Sequence, residues 1–133
     1  MGRNFVRRLP AIKCILISER VGETCFYTRY AEDIGFVQDL SPAFLTGVAA
    51  GMGAIYQDIT SQFAKMGECK GLDVGLQFPD YFVKKAAVGE HIILLIICAM
   101  EGLDIGVLDD VVQDYRTALE PVDRELAKMQ QEQ

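Results

Sequence analysis

The 133-residue sequence contains no tryptophan and a single histidine, His91. One imidazole leaves no His pair to hold a metal and no second residue to relay a proton, so the commonest general-base chemistry has little to draw on. The four cysteines, Cys14, Cys25, Cys69 and Cys98, include no Cys-x-x-Cys pair, and three of them sit in apolar runs. Their expected role is that of small buried hydrophobes rather than zinc ligands or disulfides. The longest apolar run, Ile92 to Met100, is nine residues, whereas a membrane-spanning helix needs about 20. A soluble, cytoplasmic protein is expected. Twelve glycines and four prolines are too few for a collagen-like or disordered chain.

The motifs of common catalysts are also missing. Gly47-x-x-x-Gly51-x-Gly53 lies within a helical stripe and is followed by no lysine until Lys65, unlike a nucleotide-binding loop, which joins a strand to a helix. No serine sits in a Gly-x-Ser-x-Gly elbow. The adjacent acids Glu32-Asp33 and Asp109-Asp110 read as solvated faces or helix starts. No enzyme, metal site or cofactor is expected.

What is present is a hydrophobic fraction of 50% in a chain of one-domain length, enough to bury roughly two-thirds of the unfolded surface. The net charge is −6, unevenly distributed. Arg3, Arg7, Arg8 and Lys13 stand in the first 13 residues without an acid, while the other 120 hold nine basic and nineteen acidic side chains. Residues 1–10 read as a basic arm, 11–129 as a single domain and 130–133 as a frayed polar tail. The acidic body argues against nucleic acid, which needs a basic stripe. The arm is suited to peripheral contact with an anionic membrane or an acidic partner, or to remaining a solvated tail.

Residues 11–19 and 24–30 are rich in β-branched, aliphatic and aromatic side chains and flank a turn at Gly22, predicting a hairpin. From Asp39 the apolar spacing becomes helical through Phe44, Val48, Met52, Ile55, Ile59 and Phe63. Pro42 suits the first helical turn and Gly67 the stop. Gly47, Gly51 and Gly53 each cost this helix roughly 1 kcal/mol relative to alanine. The expected compensation is close approach of the helix backbone, either to its own sheet or to a partner. Leu72 to Phe78 alternates as a half-buried strand, 81–88 returns as another, and 91–99 is apolar throughout, as in a central strand covered on both faces. A helix then opens at Asp104 or Asp109, and Pro121 ends or kinks it before a short last helix. The expectation is an α+β domain with a five-stranded antiparallel sheet, in the order β-β-α-β-β-β-α-α, and helices on one face of the sheet.

This order, with the helix opening Asp39-Leu40-Ser41-Pro42-Ala43-Phe44-Leu45 and the long apolar fifth strand, resembles the longin-like domains, part of a broad profilin-like group found in trafficking adaptors, tethering complexes and archaeal relatives. The related roadblock domains share the sheet and middle helix but begin with an amphipathic helix, and with ten residues before Ala11 they fit less well. The resemblance implies a non-enzymatic module that binds a small GTPase or another longin- or roadblock-like subunit, as a homodimer or heteromer in a trafficking-type or GTPase-regulatory complex. It places the interaction surface on the first helix, at Phe44, Gly47, Val48, Gly51, Met52 and Ile55, together with an open sheet edge. The alternative is a small-ligand sensor of the PAS type, which places several short helices where residues 39–66 read as one.

Overall fold

A computed structural model of the chain describes residues 9–20, 24–35, 40–67 and 73–131. Strands β1 (Ile12–Glu19) and β2 (Cys25–Tyr30) precede helix α1 (Pro42–Gln62); β3 (Asp73–Gln77), β4 (Tyr81–Val88) and β5 (Ile92–Ala99) precede helix α2 (Ile105–Gln131). The strands form one antiparallel sheet in the spatial order β2-β1-β5-β4-β3, so β5 is central and β2 and β3 are the edges.

The apolar residues of β5 point alternately to both faces, and each face must be covered. Ile92, Leu94, Ile96 and Cys98 pack with Ile15, Ile17 and Val88 beneath Leu108 and Val112 of α2. Ile93, Leu95 and Ile97 pack with Cys14 and Leu16 beneath Leu45, Ala49 and Met52 of α1. The expectation that helices cover one face is therefore corrected: α1 and α2 lie on opposite faces, because a β5 that is apolar on both sides cannot leave either to water. Burial also raises the thiols of Cys14, where Cys25 adds to the effect, and Cys98 to about 11, so both remain protonated at neutral pH.

The expected third helix is absent. The backbone runs helically from Ile105 to Gln131 with Pro121 inside it, although an interior proline costs about 3 kcal/mol. Packing on both sides of the proline offsets this: Leu119 before it and Leu126 after it both reach the α2-side core. Between them Asp123 is buried, its carboxylate accepting the backbone N–H of His91 at 2.8 Å and of Glu90 at 3.4 Å. Asp104 opens the helix, accepting from Gly106 N at 2.9 Å and Val107 N at 3.3 Å. Arg116 clamps α2 to the sheet, donating to Ala87 O at 3.0 Å and pairing with Asp73, while Lys84 lies 3.3 Å from Asp109.

Among the described residues, one buried side-chain group lacks a partner. Ser18 is fully enclosed and its Oγ makes no hydrogen bond. A buried unsatisfied hydroxyl costs more than its absence, so Ser18→Ala is expected to raise stability by about 1 kcal/mol, read as a higher urea midpoint at unchanged slope.

Candidate interaction surface

Helix α1 starts where its sequence provides caps. The Ser41 side chain accepts from Phe44 N at 3.1 Å, Pro42 occupies the first turn, and Thr46 Oγ1 donates to Pro42 O at 2.7 Å. The Tyr30 hydroxyl, donating to Leu40 O, ties β2 to the segment entering the helix. At the far end a short 3-10 turn, Ala64–Met66, leads to Gly67 at φ +106°, where a left-handed backbone favours glycine.

The buried face of α1 is narrow, and its apolar stripe extends well beyond it. Phe44 is 54% exposed and Ile55 is 64% exposed, with Ile59 and Phe63 also in solvent. Gly47 and Gly51 are exposed on the same side, and a Cβ added at either would meet nothing within 4 Å. The reading in which these two glycines admit the domain's own sheet is thereby corrected: no sheet atom lies close to them. Gly53 differs, since a Cβ there would lie 3.7 Å from Lys85 Nζ. Of the other expected surface residues, Val48 is half-buried against the core and Met52 is buried within it. Met52 is thus withdrawn from the surface, because it falls on the side of the helix that faces β1 and β5.

The exposed stripe runs on toward the sheet edge. Between the start of α1 and the β3–β4 hairpin lies an open cleft of about 510 Å³, walled by Phe44, Val48, Leu76, Phe78, Tyr81 and Val83. Leu76 and Phe78 are themselves exposed. Phe44 lines this cleft beside β3, which among the described residues pairs with no strand on its outer side, and Gly51 and Ile55 continue the exposed stripe along the helix.

The expected basic arm fares differently. Arg3, Arg7 and Arg8 lie outside the described residues. Lys13 belongs to β1 rather than to an arm, and its ammonium sits 2.6 Å from Asp33 Oδ2, holding that exposed carboxyl below its usual range. His91 lies just before β5, its backbone N–H bound to Asp123. Cys69 and the Gly22 turn are outside the described residues. Among the described residues no group of His, Cys, Asp or Glu is placed to hold a metal ion, and no helix is long and apolar enough to cross a membrane.

Neither the protein-family models nor the curated proteins give a match to this sequence. Solved structures do match the arrangement just described. A Roadblock/LC7 domain from Streptomyces avermitilis superposes with a TM-score of 0.70 at 14% identity, over 88% of this chain and 89% of that one. The chain has the Roadblock/LC7 fold. Myxococcus xanthus MglB matches at a TM-score of 0.66 and 16% identity, over 86% of this chain and 79% of its own. An MglB in a tetrameric arrangement matches at 0.67 and 18%, with the same coverage. The Roadblock/LC7 fold is a longin-like α-β module, and these matches correct the expectation that roadblock domains fit less well. Identities this low show the fold alone.

Proposed function

We propose that the protein is a non-catalytic interaction module that pairs with a second copy of itself through the α1 face and the β3 edge, and that binds a small GTPase in a regulatory complex. The observation that carries the pairing is the exposed stripe of Phe44, Gly51 and Ile55 beside an open strand edge. Glycines without a neighbour in their own chain lower helix stability unless another backbone closes on them. A second α1 laid antiparallel supplies that backbone and is self-complementary, since the same patch meets itself about a two-fold axis. The tetrameric arrangement named for a matching MglB supports self-association in this fold. The GTPase reading is supported by the longin-like resemblance and by the fold shared with the MglB structures.

Sedimentation equilibrium tests the pairing. The wild type is expected to be a dimer or larger at about 100 μM, and Ile55→Asp to weaken association at least about 100-fold, because each substitution enters a two-fold interface twice. Ile55 is solvent-exposed in the single chain, so the variant should keep its far-UV spectrum. A wild type that stays monomeric removes the pairing. The GTPase part is tested separately, by surface binding of purified small Ras-like GTPases loaded with GDP or a non-hydrolysable GTP analogue. An associating protein that binds neither form loses that part alone.

The cleft at Phe44 favours a second reading, a PAS-like ligand sensor, because about 510 Å³ of apolar space suits a small molecule. Against it, residues 42–62 form one long helix rather than several short ones. A chromophore or metabolite carried through purification would favour the sensor.

A further inference from the structure

On the other flank of α1, away from the apolar stripe, helix and sheet enclose a recess of about 260 Å³. It is lined by Lys85 of β4, Arg20 just past the end of β1, and Tyr56 and Gln57 of α1, over a floor that includes Gly53 and Ala87. Lys85 and Lys84 are adjacent in sequence but face opposite sides of the sheet, as the strand period of two requires. Lys84 meets Asp109 and Asp73 on the α2 side. Lys85 points toward α1 and is only 5% exposed. Among the described residues it meets no carboxylate; its ammonium lies 5.7 Å from the centre of the Tyr56 ring. The acid nearest in effect, Asp73, is already engaged by Arg116 and Lys84.

A desolvated ammonium without a counter-ion is costly, and a second cation lining the same recess adds to that cost. Both effects leave a mark: burial and then the charge of Arg20 push the Lys85 pKa down, with Asp73 opposing weakly. The floor stays open because Gly53 has no side chain, and a Cβ there would already touch the Lys85 ammonium.

We propose that this recess is a binding site for a small oxyanion, a phosphate or carboxylate group held between Lys85 and Arg20. The anion supplies the counter-charge that Lys85 lacks among the described residues, and Arg20, exposed at the rim with its Nη1 donating to Glu90 O at 3.4 Å, adds a second cation to hold it; the Gln57 side chain offers an amide donor and the Tyr56 ring a flat wall. The site lies on the flank of α1 away from Phe44 and Ile55, so its success or failure is independent of the pairing surface.

Inorganic phosphate and acetate are the probes, each added to the full chain at constant ionic strength against sodium chloride. Phosphate is expected to raise Tm by roughly 5 °C at about ten times its dissociation constant. It is also expected to shift the amide resonances of Gly53, Tyr56 and Gln57. Acetate, with a single charge, is expected to do so more weakly. Phosphate stabilises proteins non-specifically by exclusion, so the reading is the difference from Lys85→Met, which keeps the apolar stem and removes the charge. That variant is expected to lose at least about ten-fold in phosphate affinity, while being the more stable protein in chloride. Arg20→Gln, at the rim, provides a second reading should Lys85→Met fail to fold. Equal phosphate responses in wild type and variants, or no resonance shift at α1, would overturn the proposal.

Discussion

Gly89→Ala is expected to destabilise the fold by about 3 kcal/mol or more, through two separate penalties. Gly89 turns the chain between β4 and β5 at φ +59°, a left-handed conformation that costs an L-residue roughly 1–2 kcal/mol. The second penalty is steric and comes from α2. A Cβ at position 89 would overlap the Asp123 carboxylate, and no part of that group can move aside freely. Asp123 is buried, and both its oxygens hold the turn, Oδ1 on His91 N and Oδ2 on Glu90 N. Displacing it breaks two part-buried hydrogen bonds to a carboxylate, each worth about 1.5–3 kcal/mol. The two terms separate in a double-mutant cycle by urea denaturation. In an Asp123→Ala background, Gly89→Ala should cost only the backbone term, giving a large coupling energy between the two sites. A loss below about 1 kcal/mol in the wild-type background would mean that α2 does not seat on this turn as described.

Leu94→Ala and Leu95→Ala are each expected to cost about 3–5 kcal/mol, although the two side chains point in opposite directions. Leu94 is fully buried under α2 and Leu95 almost fully under α1. In a sheet covered on one face only, one of two successive positions faces water and truncates cheaply. Here neither does, because β5 is the central strand and has a helix on each side. Leu76, on the edge strand and 40% exposed, supplies the contrast: its alanine variant should lose under about 1 kcal/mol in the single chain. Equilibrium unfolding of the three variants at low concentration reads the difference. A cheap Leu94→Ala beside a costly Leu95→Ala would remove α2 from the core.

The strands and the first helix were legible because their signals are local. Period-two alternation marks β3, an unbroken apolar run marks β5, and Ser41-Pro42 marks the start of α1. The end of the chain was misread for an equally local reason. Proline is a breaker by its own geometry, and what carries α2 through Pro121 is packing of Leu119 and Leu126 and the grip of Asp123 on a turn 32 residues away. The candidate surface was legible in outline: the helical stripe with Phe44 and Ile55 was evident, but a stripe defines angles around an axis and not which angle meets the sheet. That choice put Met52 inside, and Gly47 and Gly51 outside. Lys85 gave no signal, since a Lys-Lys pair in a strand reads as two solvated charges until one face is known to be covered.

By itself, the sequence determined an α+β chain with a five-stranded antiparallel sheet and a long glycine-bearing helix. Those properties follow from composition and from periodicities that each segment carries alone. Only the tertiary structure decided that the helices lie on opposite faces, that the last helix runs unbroken, and that α1 exposes an apolar flank on one side and shelters a cationic recess on the other. Each of these depends on which surfaces of different elements meet, and the free energy of burial is a property of the contact rather than of either segment.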